Sequence, residues 1–192
     1  MLIIINFKNY KKGKQVLDLA IKIQKYLPNS IVAVPSPEIK EVSSKTKLKV
    51  YSQYYYNNTN SGTLLNHSEH KLSFSVLKKQ VEVCKKLKLK TLVFASNINE
   101  ARRIMKLKPT MLAYEDSKLI GTGKSITSYK TNEVKEFAKL LKGKKIIPLC
   151  GAGISNKEDI QEARRLGCKG VVISSAIANS KFPNKILKSI SE

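Results

Sequence analysis

Eight short apolar runs, spaced along 192 residues and separated in all but one case by helical stretches, limit the possible folds of this chain more than any other feature. Leu2–Asn6, Ile31–Val34, Leu48–Ser52, Gly62–Asn66, Thr91–Phe94, Met111–Tyr114, Ile146–Leu149 and Gly170–Ile173 read as strands. Val16, Ala20, Ile23 and Leu27 recur at helical spacing and predict a helix over Lys14–Leu27. Phe74, Leu77, Val81 and Cys84 line one face of another, and Pro37–Ser44 reads as a short one. Asn97 with Glu100 predicts a capped helix running to Lys106, and Ser155 with Glu158 predicts a capping box for a helix ending near Gly167. Thr131–Leu141, stopped by Gly143, and a C-terminal helix complete the series. Strands alternating with helices build a parallel sheet. Near-continuous apolar strands such as Leu2-Ile3-Ile4-Ile5 suit burial on both faces. Eight units favour an α/β protein of closed (β/α)8-barrel form over an open sheet. No linker breaks the pattern, so residues 1–192 are expected to form one domain.

The exception lies between the third and fourth strands, where only Gln53–Ser61 connect. A parallel crossover normally takes a dozen or more residues, usually as a helix. An extended stretch of this length reaches roughly 30 Å, enough to return along a strand of about 17 Å. The helix at this crossover is therefore expected to be missing or vestigial. The Tyr54-Tyr55-Tyr56 cluster is expected to patch the bare wall or to meet another subunit.

Thirty-six Lys and Arg against 14 Asp and Glu give a net charge of +22, which favours anionic partners. The lysines are spread through and beside the expected helices (Lys11, Lys22, Lys78, Lys85, Lys139, Lys157) rather than gathered in one block. No repeated aromatic-plus-basic motif accompanies them, so nucleic acid is not an expected partner. No apolar run approaches the ~18 residues of a membrane span, and Leu2–Ile5 is too short for a secretory signal. Cys84, Cys150 and Cys168 form no CxxC pair. The expected location is cytoplasmic.

In a (β/α)8 barrel, chemistry sits at the C-terminal ends of the strands. Those ends carry Asn6 and Lys8, then His67 with Ser68 and Glu69, then Glu115 before Asp116–Gly123. They also carry Cys150-Gly151-Ala152-Gly153 and Ser174-Ser175. An imidazole, a carboxylate and an ammonium beside Gly- and Ser-rich turns suit proton transfer on a phosphorylated substrate. Two other phosphate motifs fail: Lys118 stands where a P-loop ending in Gly123-Lys124-Ser125 needs its first glycine, and Asn156 where a fingerprint begun at Gly151 needs its third.

The set Asn6-Phe7-Lys8, Leu64–Glu69, Glu115 with Leu119-Ile120-Gly121-Thr122-Gly123, and Cys150–Ile154 resembles the triosephosphate isomerases, in particular their compact archaeal-type branch. The resemblance implies a glycolytic and gluconeogenic TIM-barrel enzyme. It would interconvert dihydroxyacetone phosphate and D-glyceraldehyde 3-phosphate through an enediolate, with no cofactor and no metal. It implies Glu115 as base, His67 as electrophile, and Asn6 and Lys8 as a substrate-binding pair, Lys8 also taking part in catalysis. Glu69 would sit beside the lysine. Ile120, Gly121, Gly153, Ser174 and Ser175 would hold the phosphate, and residues 116–124 would form a lid.

The sequence departs from the family in three places. The long loop with which the family dimerises is absent with the third helix, so a monomer, or an oligomer built on other faces, is expected. Asp116 and Ser117 stand where the branch usually has prolines, implying a looser hinge and a second carboxylate that raises the base's pKa if the two approach. Ala176 stands where a glycine is usual, adding a methyl near the phosphate. The alternative is a basic scaffold or nucleic-acid-binding barrel with weakened or lost isomerase activity.

Overall fold

The computed structural model describes residues 1–55 and 61–191. Eight parallel strands close on themselves in sequence order: β1 (Leu2–Asn6), β2 (Ile31–Val34), β3 (Lys49–Ser52), β4 (Gly62–Leu65), β5 (Lys90–Ala95), β6 (Met111–Tyr114), β7 (Ile147–Cys150) and β8 (Gly170–Ile173). The expected (β/α)8 barrel is the observed fold. Around it lie α1 (Lys14–Tyr26), α2 (Ile39–Lys45), α3 (Phe74–Lys86), α4 (Ile98–Ile104), α5 (Ile126–Tyr129), α6 (Thr131–Leu140), α7 (Lys157–Arg165), α8 (Ser175–Ala178) and α9 (Pro183–Ser191).

Alternation along each strand sorts its side chains into two layers. Ile4, Ile31, Ala33, Tyr51, Leu64, Leu92, Phe94, Met111, Ala113, Leu149 and Val172 fill the barrel interior. The residues between them, including Ile5, Val32, Val50, Leu65, Val93, Leu112, Cys150 and Val171, face the helices. Against these pack Val16, Ala20 and Ile23 of α1, Leu77, Val81 and Cys84 of α3, and Val134 and Phe137 of α6. The interior parity carries past the last apolar residue: Asn6 follows Ile4 by two, Glu115 follows Ala113, and Ser174 follows Val172. The polar rim is therefore the continuation of the barrel's own pleat.

Two seams are short. β3 and β4 register only through Tyr51 with Gly62 and Ser52 with Thr63. β7 and β8 register only through Leu149 with Gly170 and Cys150 with Val171. Among the described residues of the β3–β4 connection there is no helix, as expected from its length. Tyr55 packs against the outer layer there, and Tyr54 meets the His70 ring edge-on, with centroids 4.8 Å apart. Tyr56 lies outside the described residues.

Gly62 lets this seam close. A methyl built on it would sit 2.7 Å from the Tyr51 ring and 2.5 Å from the Lys90 carbonyl oxygen. The large Tyr51 and the absent side chain of Gly62 fill one space between them. Gly62→Ala is expected to lower stability by about 1–3 kcal/mol, the usual cost of forcing a methyl into a packed core. Chemical denaturation reads this as a lower midpoint at unchanged slope; an unchanged midpoint would show that both the Tyr51 ring and the Lys90 carbonyl give way freely.

Two sequence expectations need correction in detail. The helix of α7 is capped one residue later than Ser155: Asn156 Oδ1 accepts the Asp159 N–H at 2.8 Å, and the Asp159 carboxylate returns to the Ser155 N–H at 2.9 Å. Glu158 has no part in the cap. The fourth strand ends at Leu65, because Asn66 leaves extended geometry with φ 59.

Candidate active site

The end of β1 turns sharply. Lys8 adopts a left-handed φ of 46 and is held from three sides. Its N–H donates to Asn6 Oδ1 at 3.0 Å, its carbonyl accepts from Gln53 Nε2 at 2.8 Å, and its ammonium pairs with Glu69 Oε1 at 2.9 Å. Lys8 is buried while Glu69 is half exposed. The ammonium thus keeps a water-facing counterion on one flank and the barrel mouth on the other. Tyr54 and Gln53 line the small recess around this pair. Gln53 was not singled out from the sequence, although its place two residues beyond interior Tyr51 signals it.

The strand β4 presents His67 differently. By parity Asn66 would face the interior and His67 the helices. The left-handed turn at Asn66 reverses this and turns the imidazole inward, edge-on to Phe94 with centroids 4.8 Å apart. The Glu69 N–H donates to His67 Nδ1 at 3.3 Å. That bond makes Nδ1 an acceptor and leaves the ring proton of a neutral imidazole on Nε2. Nε2 lies 3.4 Å from Glu115 Oε2.

Glu115 is almost fully buried, and Ser68 Oγ donates to its Oε2 at 3.1 Å. Burial pushes the carboxyl up, but the His67 hydrogen bond, the Lys8 charge and the Ser68 hydroxyl outweigh it and hold it below its ordinary value. Asp116 does not raise it: its carboxylate caps the turn Ser117–Leu119 through the Lys118 N–H and lies 3.9 Å from Lys130 Nζ. The hinge without prolines is thus tied by polar bonds.

The expected phosphate end shows a mixed picture. The N–H groups of Gly121 and Gly153 have no acceptor among the described residues, but that of Ile120 donates to the Ser117 carbonyl at 3.2 Å. The tip at Gly121 and Gly123 stands clear of the body, with nothing near an added methyl. Gly153 is the opposite: at φ 79, any side chain would run into the Lys124 carbonyl at the end of this loop. Ser174 Oγ donates to the Asn6 carbonyl at 2.8 Å, tying the ends of the neighbouring strands β8 and β1 together. Ser175 opens α8 beside Ala176, which lines the same space.

A cavity of about 410 Å³ gathers Asn6, Lys8, His67, Glu115, Ile120, Gly121, Gly153, Ser174 and Ser175 on one wall system. Glu69 stays outside it, behind Lys8. Tyr10 and Asn179 also reach the cavity and were missed, since neither sits at a strand end.

Two carboxylates brace the rim from behind. Asp159 accepts from Ser155 Oγ at 3.2 Å and lies 3.5 Å from Thr127 Oγ1, joining the Gly153 turn to α5. Glu100 accepts from Ser96 N–H and Oγ, each at 2.7 Å, from Asn66 Nδ2 at 2.8 Å and from Lys71 Nζ at 3.2 Å. Burial pushes Glu100 up, but these donors pull it below the usual carboxylate value of 4.5. A depressed folded pKa contributes stability that is complete above the unfolded value and is lost as pH falls through the folded one. The stability gap between wild type and Glu100→Gln is therefore expected to narrow as pH drops through and below the ordinary carboxylate range. Thermal unfolding across that range checks this, and a gap constant with pH would contradict it.

The protein is a closed parallel (β/α)8 barrel whose charged rim residues converge at the C-terminal ends of its strands. The family model described as triosephosphate isomerase matches residues 57–190. A triosephosphate isomerase of Methanocaldococcus jannaschii is 29% identical over 215 aligned positions, covering 99% of this chain and 98% of that protein. One of Pyrobaculum calidifontis is 32% identical, covering 95% and 91%. Both are archaeal. The chain belongs to the triosephosphate isomerase family, and its resemblance to the archaeal type holds along nearly its whole length. Among solved structures, the triosephosphate isomerase of Bartonella henselae superposes with a TM-score of 0.72 at 14% identity, covering 98% of this chain and 96% of that one. The tryptophan synthase A-subunit of Pyrococcus furiosus superposes at 0.75 with 13% identity, covering 99% and 96%. Two different enzymes fit equally well, so these superpositions show the barrel alone.

Proposed function

We propose that the protein interconverts dihydroxyacetone phosphate and D-glyceraldehyde 3-phosphate through an enediolate. The observation that carries this reading is the meeting of His67 Nε2 and Glu115 Oε2, 3.4 Å apart, on one cavity with the Lys8 ammonium. Membership of the family supports the substrate.

Glu115, ionised near neutrality by its lowered pKa, takes the proton from the carbon beside the substrate carbonyl. Negative charge then develops on the carbonyl oxygen. The Nε2–H of His67 and the ammonium of Lys8, both on buried side chains, stabilise it, and more strongly once residues 116–124 close and exclude water. The proton of the adjacent hydroxyl passes to the former carbonyl oxygen, directly or by way of His67 Nε2. The conjugate acid of Glu115 delivers a proton to the neighbouring carbon, directly or after exchange with the intermediate, and the carbonyl has moved by one position. The reaction shifts protons and a double bond within one molecule and consumes no oxidant or reductant. Ser68 and His67 both engage Oε2, which leaves Oε1 as the oxygen that can face the carbon without breaking either contact.

Asn6, whose Oδ1 already fixes Lys8, would help seat the substrate, and Glu69 would set the ammonium's direction. Gly121, Gly153 and Ser175 would offer amides to the phosphate, with Ser174 at the rim. Ile120 would join them only after its turn opens, which is the lid motion this reading requires of residues 116–124. Any homo-oligomer would be built on faces other than the shortened β3–β4 connection.

A coupled assay in both directions with the purified chain tests the proposal. Turnover well above the uncatalysed rate supports it, and a background rate would sink it. Sedimentation of the same sample reports the assembly.

A further inference from the structure

We infer that Asn66 is the positioning residue of this site: its left-handed turn, which its side-chain amide supports but does not by itself create, sets the direction in which His67 points. The inference rests on the isomerase reading and adds to it a residue with no contact to the cavity.

Three observations converge. The first is the pleat. Leu64 lies inside the barrel and Leu65 outside, so an extended chain would send His67 toward the helices. The φ of 59 at Asn66 cancels one step of the alternation. The second is residue type. A left-handed backbone is costly for side chains other than glycine, and least so for asparagine and aspartate. The third is that the amide is saturated in a way that opposes relaxation. Asn66 Nδ2 donates to the Phe94 carbonyl at 2.9 Å and to Glu100 Oε1 at 2.8 Å, and Oδ1 accepts the Leu72 N–H at 3.0 Å. Those partners lie on β5, on α4 and just before α3, so the turn is anchored to three elements at once. Rotating Asn66 back to extended geometry would break all three bonds in a buried place and carry the imidazole away from Glu115.

Asparagine here has two separable properties, a tolerance for left-handed geometry and a hydrogen-bonding side chain. Asn66→Gly keeps the first and removes the second; Asn66→Val removes both, and Asn66→Ala does so more gently. Since the proton-transfer geometry depends on the turn itself, kcat is expected to fall about 100-fold in Asn66→Val, near the loss of one oxyanion donor. KM should stay within about threefold, because the phosphate contacts lie on other strands. Asn66→Gly is expected to keep kcat within about tenfold of wild type.

The experiment measures kcat and KM for wild type, His67→Gln and the three Asn66 variants, with a thermal melt of each. It also records imidazole ¹⁵N and ring-proton spectra of His67, which read the Nδ1 acceptor state and the shielding by Phe94. A kcat loss at near-constant KM in Val or Ala, with Gly retained and the His67 signals displaced in Val or Ala only, establishes the inference. A folded Ala or Val variant with wild-type kcat and wild-type His67 signals overturns it. Equal losses in Gly and Ala overturn it too, since the side-chain bonds and not the turn would then set the ring. Should wild type itself show no turnover, the isomerase reading fails, and the His67 spectra alone still decide whether Asn66 turns the ring.

Discussion

Glu115→Gln is expected to lower kcat by about a thousandfold while leaving KM nearly unchanged, the mid-range worth of a positioned general base. The amide has the carboxylate's shape and still accepts from Ser68, so packing around the buried position is kept. It has no basic oxygen to receive the substrate proton. Because the base acts on the reacting carbon and not on the phosphate, ground-state binding has little to lose. Single-turnover measurement with substrate deuterated at that carbon sharpens the result, since the residual reaction should show a full isotope effect. A variant within tenfold of wild type would remove Glu115 from the role of base. The carboxylates next nearest in sequence to these rim residues are otherwise engaged: Glu69 is paired with Lys8, and Asp116 is turned toward Lys130.

His67→Gln carries the second large effect, an expected loss of about 10²–10³ in kcat, the usual worth of one donor to a developing oxyanion. Glutamine reaches a similar distance and can donate, but it lacks the rigid edge that Phe94 and the Glu69 N–H hold in place. Its amide has rotational freedom where the ring has one direction, and preorganisation is the part of the contribution that counts. The variant should also lose part of what holds Glu115 below its ordinary pKa. The acid limb of the kcat/KM profile is therefore expected to move to higher pH, the sign that follows from removing a hydrogen bond to the ionised form. A profile unmoved at its acid limb would mean that Lys8 and Ser68 alone set the carboxylate.

The residues that follow the strand pleat were legible in the sequence. Asn6, Glu115 and Ser174 continue the interior parity of strands whose apolar pattern is plain, so their direction could be read in advance. The direction of His67 could not, because one left-handed residue reverses it, and a backbone dihedral leaves no trace in hydrophobic periodicity. The cap of α7 was missed by one position for a related reason. Ser155 and Asn156 are both good caps, and the choice fell to Asp159, whose carboxylate also lies near Thr127 in another element. The helices α5 and α8, each four residues long, are too short to show a period at all. The Ile120 amide is occupied within its own turn, a fact of conformation that no motif records.

The two short ladders noted in the fold have a geometric consequence. They divide the barrel into two four-stranded arcs, β8-β1-β2-β3 and β4-β5-β6-β7. His67 and Glu115 ride on one arc; Lys8, Asn6, Ser174 and Ser175 ride on the other. The His67–Glu115 pair and the Lys8 ammonium are therefore parts of different half-barrels. Their separation is set by how the arcs close, and at the β3–β4 seam that closure depends on Tyr51 lying in the space left by Gly62.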